Sequence, residues 1–299
     1  MNNILDDFKN AFNRPNNGMM KIIVINLVVF LALLFLEVIL TLSGYENWYQ
    51  LIVTQLSLPA SLSELLYRPW TLVTYFFTHT GFFHILFNML FLYWFGQLIM
   101  EFLGSEKLVN LYVIGGLAGG LFYILIYNLI PYFNERVAIA QMLGASAGVY
   151  AVVVGAATFM PNYSISLILL GPVRIKYIAI FYVIVSFAGI TGANAGGELA
   201  HLAGAAVGFI FIKQLQRGND LGTPITGFLT FVKSFFVSQP KVRVSHRSGK
   251  ASTRKPRANG SFSNKQEEID AILDKISESG YDSLSREEKQ KLFDASKQE

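Results

Sequence analysis

The sequence predicts an all-α integral membrane protein built from six spanning helices. Of its 299 residues, 53% are hydrophobic and only 15% are charged, which is more apolar surface than one soluble core of this length buries. The apolar residues are grouped in separate runs, and a helix needs about 20 mostly apolar residues to cross a bilayer. The composition therefore excludes an ordinary soluble domain.

Six apolar runs approach or reach that length. They cover residues 22–42, 82–102, 108–130, 144–160, 177–190 and 199–214. The first run follows several charged residues and lacks a small-residue cleavage site, so we expect a retained anchor rather than a removed signal peptide. Most Lys and Arg residues of the short loops fall on one side, which by the positive-inside rule predicts that both termini are cytoplasmic. The expected location is the inner membrane of a bacterial cell.

The segment between the first two runs, residues 43–81, is too long for a hairpin turn and carries few charges. It contains Trp48, Tyr49, Tyr67 and Trp70. Aromatic side chains of this kind favour the membrane–water interface. We therefore expect this first loop to lie in the outer leaflet rather than in bulk solvent.

The character of the chain changes after the last run. Residues 225–237 place Phe228, Phe231 and Phe235 on one helical face, which suits an interfacial helix. Residues 241–257 contain seven Lys or Arg and no Asp or Glu, which predicts contact with anionic lipid. Nucleic acid is the rival partner for this basic run, and we do not expect it because the run has no interleaved aromatic residues.

Two short helices are predicted beyond the basic run, over residues 264–279 and 285–296. Each begins with capping-box spacing, in the pairs Asn264 with Glu267 and Ser285 with Glu288. Gly280 suits the end of the first of them. The predicted organisation is a cytoplasmic N-terminal segment (1–21), a six-span core (22–216), an amphipathic and basic linker (217–263) and a short helical cytoplasmic appendage (264–299).

The fourth run opens on the pentapeptide Gly144-Ala-Ser-Ala-Gly148, which has two interpretations. It matches the G-x-S-x-G pattern that presents a serine hydroxyl for attack. It is equally a G-x-x-x-G seam, which lets membrane helices approach closely. Taken alone the pentapeptide favours packing, so the role of Ser146 depends on the other polar residues at membrane depth.

Ionisable and amide side chains at membrane depth are costly and indicate a functional site when they face a bundle interior. His84 and Asn88 lie near the outer end of the second run, Ser146 near that of the fourth and His201 near that of the sixth. Each is expected one to two turns below the outer boundary, and this shared depth favours chemistry over packing. A serine and a histidine with two further donors are the parts of an acyl-transfer site.

Small residues beside the histidine support close helix packing. Gly204 and Gly208 form a second G-x-x-x-G seam next to His201. Tight packing of the fourth and sixth runs would bring the Ser146 hydroxyl within hydrogen-bond reach of the imidazole. Packing and chemistry are therefore compatible at this position.

These motifs resemble the rhomboid intramembrane serine proteases over residues 68–213. The resemblance is carried by His79-Thr-Gly-Phe-Phe-His84-Ile-Leu-Phe-Asn88, by Gly144-Ala-Ser146-Ala-Gly148 with Tyr150, and by Ala200-His201-Leu-Ala-Gly204. It implies a six-transmembrane-helix rhomboid bundle in which Ser146 is the nucleophile and His201 its general base. It also implies that His84, Asn88 and the Ser146 backbone N–H stabilise the oxyanion, and that Tyr150 packs against the base.

The same resemblance implies a dyad with no acidic third member, and we expect no metal or cofactor. No Asp or Glu occurs from residue 136 through residue 197, which agrees with a dyad. Glu198 is the one nearby carboxylate, and we expect it at the mouth of the cavity. The substrates implied are single-span membrane proteins, which would enter between the second and fifth runs past Phe87, Phe181 and Phe187.

Other functional classes fit less well. A non-catalytic relative that binds membrane helices or serves in quality control usually lacks the serine or the histidine, and both are present. A small-solute transporter predicts midplane charges and internal repeats, which the sequence does not contain. A soluble serine hydrolase presents its serine after a strand in an alternating βα pattern, and the apolar runs do not have that pattern.

Overall fold

The computed structural model describes residues 16–167, 171–236 and 263–296. The chain divides into two compact units, Met1–Gln239 and Pro240–Glu299. The first unit contains all six predicted spanning runs. The second contains the predicted pair of short helices.

Helices follow one another along the described part of the first unit. In chain order they are α1 (Gly18–Leu42), α2 (Glu46–Leu56), α3 (Leu62–Tyr67), α4 (Thr71–Thr74), α5 (Phe82–Leu103), α6 (Ser105–Leu129), α7 (Ser146–Phe159), α8 (Ile175–Ala188), α9 (Ala195–Gln216) and α10 (Thr223–Phe236). Short 3-10 turns cover Tyr75–Phe77 and Pro131–Arg136.

Each predicted run coincides with one apolar helix, and the ends differ by at most four residues. Four helices of the described residues are long and apolar enough to cross a membrane, namely α1, α5, α6 and α9. Helices α7 and α8 have 14 residues each, which at 1.5 Å per residue is about 21 Å. That is shorter than the hydrocarbon core of a bilayer, about 30 Å. The mostly helical, apolar architecture is confirmed.

Helix α7 lies at the centre of the bundle, where it contacts α5, α6, α8 and α9. Small residues such as Ala147, Gly148, Ala151 and Gly155 are buried along it. A helix that is apolar on every side packs against neighbours on every side. Its shortness and small side chains therefore allow four helices to surround it closely.

The first loop contains α2, α3 and α4, and polar contacts join its later part to the end of α2. The Trp70 indole donates to the Gln55 carbonyl at 2.8 Å, and the Arg68 guanidinium donates to the Thr54 carbonyl at 2.6 Å. Trp48 and Tyr67 are exposed, as expected of interfacial aromatics. Tyr49 was expected to share that environment, but it is buried between α2 and α1. Its hydroxyl meets Glu37, and burial followed by this carboxylate raises the pKa of Tyr49.

Two small antiparallel pairs were not predicted from the sequence. Strand β1 (Leu58–Pro59) pairs with β2 (Gln141–Met142), and β3 (Ser164–Leu167) pairs with β4 (Gly171–Arg174). The first pair joins the first loop to the residues just before α7. Strands of two to four residues inside apolar segments carry too little alternation to be recognised.

Helix α10 agrees with the predicted amphipathic segment. Phe228, Phe231 and Phe235 are exposed, while Thr226 bonds to Asn110 and Glu106 of α6. One face of α10 is therefore attached to the bundle and the aromatic face is open. The predicted lipid contact of residues 241–257 lies outside the described residues.

The second unit consists of α11 (Ser263–Ser279), a 3-10 turn (Tyr281–Ser283) and α12 (Arg286–Ser296). The predicted capping box of α12 is confirmed, because the Ser285 N–H donates to Glu288 at 2.7 Å and the Glu288 N–H donates to the Ser285 hydroxyl at 3.2 Å. Gly280 ends α11 with φ +79°, as predicted. Helix α11 begins at Ser263, one residue before the predicted start, and the capping prediction for Asn264 concerns a side chain outside the described part of the structure.

We predict that acid weakens the second unit through Glu288. The hydrogen bond from Lys275, together with the backbone N–H of Ser285, lowers the pKa of Glu288 to about 2. A carboxyl with a depressed folded pKa stabilises the fold above its unfolded pKa and loses that contribution as the pH falls toward the folded value. Amide hydrogen exchange in α11 and α12 of the full chain should accelerate in Glu288→Gln at pH 7, but only slightly at pH 2.

The matched control is Glu287→Gln, which changes the neighbouring carboxylate of the same turn. The effect of Glu288→Gln should be small, since exposed ion pairs contribute little. Equal exchange rates in wild type and Glu288→Gln at both pH values would contradict the prediction.

Candidate active site

A cavity of about 380 Å³ lies among α5, α7, α8 and α9. Its polar lining comprises His84, Asn88, Ser146, Tyr150, Asn194 and His201. Aromatic side chains, including Phe83, Phe87 and Phe91, form much of the remaining wall. The structure therefore brings His84, Asn88, Ser146, Tyr150 and His201 to one partly apolar chamber.

Ser146 is the first residue of α7, which begins two residues after the predicted start of the fourth run. The preceding backbone is extended at Gln141–Met142 and turns at Gly144, whose φ of +123° favours glycine. The Gly144 N–H donates to the Tyr75 carbonyl at 2.9 Å. These contacts remove residues 141–145 from the helix and place the Ser146 hydroxyl at its N-terminus, where free N–H groups and the helix dipole favour negative charge.

His79 holds the same segment and received no role from the sequence. The Ala145 N–H donates to its Nε2 at 3.2 Å, and the imidazole is fully buried. Burial, and then the neighbouring His84, lowers the pKa of His79 to about 3. His79 is therefore neutral at physiological pH and keeps its acceptor nitrogen. The sequence feature that could have identified His79 is its position five residues before His84.

His201 and Ser146 are in direct contact. The distance from His201 Nε2 to Ser146 Oγ is 2.7 Å. When Nε2 accepts from the hydroxyl, the ring proton is on Nδ1. A serine that donates to a neutral imidazole is the arrangement that activates a hydroxyl for attack on a carbonyl.

Tyr150 and Ser186 surround the imidazole. The rings of Tyr150 and His201 are stacked, with centroids 4.2 Å apart and planes within 8°. The Ser186 hydroxyl donates to the Tyr150 hydroxyl at 2.9 Å and lies 3.1 Å from His201 Nδ1. Ser186 was not singled out by the sequence, because a serine within an apolar helix carries no distinguishing pattern.

The Ser146–His201 contact depends on close backbone packing between α7 and α9. A Cβ added at Gly204 would overlap the Ala147 carbonyl, and one added at Gly208 would overlap the Ala151 carbonyl. A Cβ at Gly148 would lie 2.7 Å from the Tyr112 carbonyl oxygen of α6. The G-x-x-x-G seams therefore serve packing, and this packing sets the distance between the serine and the histidine.

His84 and Asn88 lie one turn apart on α5 and face the same cavity. The Asn88 amide donates to the His84 carbonyl at 2.8 Å. Gly144 lets the two segments approach, because a Cβ there would lie 2.6 Å from His84 Cε1. Both side chains can donate hydrogen bonds and line the cavity that Ser146 also borders.

Glu198 lies beside the imidazole, and the residues expected to flank substrate entry lie on α5 and α8. Glu198 was expected at the mouth of the cavity, but its Oε2 lies 3.2 Å from His201 Nδ1. Phe87 lines the cavity, whereas Phe181 and Phe187 are exposed on α8 outside it. An i to i+3 spacing on one helix explains the carboxylate contact.

Comparison with known proteins supports one family. A family model described as Rhomboid domain matches residues 67–217, which is half of the chain. A second, described as Family of unknown function (DUF6576), matches residues 257–298. The chain is 31% identical over 161 residues to "RHOMBOID-like protein 12, mitochondrial" of Arabidopsis thaliana, with 51% of this chain and 48% of the relative covered. The chain thus spans about half the length of this curated relative.

We predict that Gly204→Ala destabilises the bundle, because the added methyl group must push α9 away from the Ala147 carbonyl. Overpacking of this kind costs about 1–3 kcal/mol. Gly227→Ala is the matched control, since no atom lies within 4 Å of a Cβ there. The free energy of unfolding in mixed micelles should fall for Gly204→Ala and stay equal or rise for Gly227→Ala. Equal values for Gly204→Ala and wild type would contradict the packing argument.

We also predict a pH dependence of stability that arises from His79. Its folded pKa lies below the unfolded value, so the unfolded chain binds more protons and stability declines as the pH falls below about 6.5. The slope contributed by one such group is at most about 1.4 kcal/mol per pH unit. His79→Gln keeps an acceptor for the Ala145 N–H but does not titrate, so unfolding measured from pH 6.5 to 4.5 should show a shallower slope. Identical slopes in the two proteins would exclude His79 as the source.

Proposed function

The chain belongs to the rhomboid family, and we propose that it is an intramembrane serine endopeptidase that hydrolyses peptide bonds in or next to transmembrane helices of other membrane proteins. The observation that carries this proposal is the 2.7 Å contact between Ser146 Oγ and His201 Nε2. The contact lies in a chamber large enough for a peptide segment and walled by aromatic residues. The apolar helices and the family match make this an integral membrane protein.

In this proposal α7 and α8 cross the membrane together with the four long helices. Their length of about 21 Å is accommodated because α7 is surrounded by protein and begins below the outer surface. Three helices then run from outside to inside, α5, α7 and α9, and each carries its polar residues near its outer end. The loop charges favour cytoplasmic termini. The named relative is mitochondrial, so a bacterial inner membrane remains a prediction.

The chemistry we propose is acyl transfer in two steps. Ser146 Oγ attacks the scissile carbonyl carbon while its proton passes to His201 Nε2. The C–N bond then breaks as the imidazolium returns this proton to the leaving amine, which leaves an acyl ester on Ser146. In the second step water attacks the ester carbonyl while His201 Nε2 takes its proton. The C–O bond to Ser146 then breaks, the carboxylic acid product is released, and the imidazolium returns the proton to Ser146 Oγ.

His84, Asn88 and the Ser146 N–H are the proposed oxyanion donors. His84 and Asn88 line the same cavity as Ser146, and the Ser146 N–H is at the N-terminus of α7, where the helix dipole adds a positive potential. Asn88 is hydrogen-bonded within its own helix in the free enzyme, so its amide must turn toward the cavity when the oxyanion forms. Such donors often tighten only in the substrate complex.

Substrate entry is proposed between α5 and α8. These helices meet through aromatic side chains, with the Phe91 and Tyr182 ring centroids 4.7 Å apart, rather than through close backbone contact. Phe87 lies on the cavity side and Phe181 on the outer side of this seam. A substrate helix hides its carbonyls in its own hydrogen bonds, so we expect single-span proteins with locally weak helices as substrates.

The proposal is tested by cleavage of a panel of single-span reporters in liposomes. Ser146→Ala and His201→Ala, compared at equal folded amounts, should each lose at least about 1,000-fold in rate. Asn88→Ala should lose about 100- to 1,000-fold, as expected for an oxyanion donor. Ser234→Ala, an exposed serine of α10, is the matched control and should cleave like wild type.

Mass spectrometry of the products should place the cut inside or beside the reporter's membrane segment. Equal cleavage by wild type and Ser146→Ala would refute the proposal. Binding of reporters without cleavage by any form would favour the non-catalytic alternative, a relative that binds membrane helices.

A further inference from the structure

We propose that Glu198 is a third, acidic member of the catalytic group, a positioning residue that acts through the Nδ1 atom of His201. The inference rests on the proposed function of Ser146 and His201 and extends it. It departs from the dyad implied by family resemblance. Its basis is the geometry of one carboxylate in this chain.

Glu198 is placed on the side of the imidazole opposite the serine. Its Oε2 lies 3.2 Å from Nδ1, while Ser146 Oγ lies 2.7 Å from Nε2. The side chains of His201 and Glu198 are only 13% and 19% exposed. Both ring nitrogens are therefore occupied, one by the hydroxyl and the other by an anion that is largely shielded from water.

The fold makes room for this contact. A Cβ added at Gly189, just after the end of α8, would lie 2.9 Å from Glu198 Cγ, so the lack of a side chain there lets the carboxylate lie against the helix end. The spacing from Glu198 to His201 on α9 puts both on one helical face. The carboxylate is thus held beside the imidazole by α9 and by the end of α8, and it is not a freely rotating surface side chain.

Few other titratable groups face the imidazole from the elements packed around it. They are Tyr150 of α7, Tyr182 of α8 and His84 of α5. On α6, Tyr123 lies against Gly196, five residues before His201. Tyrosines are neutral near pH 7. Of these described groups Glu198 alone supplies a negative charge to the imidazole.

The role of this charge follows from the proton transfers of the reaction. Before attack, the Nδ1–H donates to the carboxylate, which selects the tautomer with Nε2 free to accept. During attack the Ser146 proton moves to Nε2 and the ring becomes positive, next to Glu198. The carboxylate stabilises that cation without taking its proton, as the acid of a serine-protease triad does.

Ser186 is the rival partner of Nδ1, at 3.1 Å. Its hydroxyl proton is donated to Tyr150, so its oxygen can also accept from Nδ1. A neutral hydroxyl orients the ring but supplies no charge. Removal of the Ser186 hydroxyl and removal of the Glu198 charge should therefore have different effects on the imidazole. Ser186→Ala is therefore the matched control for Glu198.

The test compares wild type, Glu198→Gln, Glu198→Asp and Ser186→Ala in liposomes with a cleaved reporter. Glu198→Gln keeps the size and loses the charge, and its kcat should fall about 10- to 100-fold with KM within about twofold. The acid limb of its pH–rate profile should move to lower pH, since an anion beside the imidazole no longer favours protonation. Glu198→Asp keeps the charge but is shorter, and it should exceed Glu198→Gln in kcat.

Three outcomes overturn the proposal. The first is a Glu198→Gln enzyme with kcat within twofold of wild type and an unmoved acid limb. The second is a Glu198→Gln enzyme at least as active as Glu198→Asp, because side-chain shape would then account for the effect. The third is an equal loss in Ser186→Ala, because the hydroxyl would then account for the effect.

A readout that needs no proteolysis keeps this test separate from that of the proposed function. Protein carrying ¹⁵N-histidine is titrated in bilayers, and the His201 signal is identified by its loss in His201→Ala. The midpoint of that signal should fall in Glu198→Gln and stay in place in Ser186→Ala. If wild type cleaves no reporter and Ser146 resists a fluorophosphonate label, the proposed function fails, while an unmoved His201 midpoint refutes the Glu198 contact.

Discussion

The close backbone approach of α7 and α9 is the constraint on which the site depends. Gly204 and Gly208 allow the carbonyls of Ala147 and Ala151 to lie where a side chain would otherwise be. Lipid tails are as apolar as leucine, so membrane helices gain little from hydrophobic burial and rely on such van der Waals contact. Because Ser146 and His201 lie one turn from this seam, their separation is set by backbone packing rather than by the rotamers of long side chains.

A second requirement is to keep polar groups in an apolar bundle without leaving them unpaired. The segment before α7 meets it locally, because Gly144 and Ala145 donate to Tyr75 and His79. Around the imidazole, Tyr150, Ser186 and Glu198 form a connected set of contacts. The polar residues thus support one another, and a low local dielectric strengthens each contact. His79 accepts the Ala145 N–H as a neutral imidazole, which avoids the cost of burying a charge.

Much of this arrangement could be predicted from the sequence. The apolar runs located six helices to within a few residues, because hydrophobic length is a strong signal, and the spacing of His84, Asn88, Ser146 and His201 identified the chamber that they share. Local backbone geometry could not be predicted. The start of α7 at Ser146 depends on a left-handed Gly144 and a two-residue strand pair, and Tyr49 is buried by a helix that packs back on α1. The Glu198 contact was missed because sequence spacing does not give the direction of a side chain.

The contacts that hold Ser146 join distant parts of the chain, with consequences for the order of assembly. The Ala145 N–H bonds to a residue 66 positions earlier, and Ser146 meets its imidazole partner 55 positions later. The contact of Ala145 with His79 can therefore form as soon as α7 enters the bundle. The contact of Ser146 with the imidazole can form only after α9 is added. A ribosome-bound chain that has not yet released α9 therefore carries Ser146 without its imidazole partner.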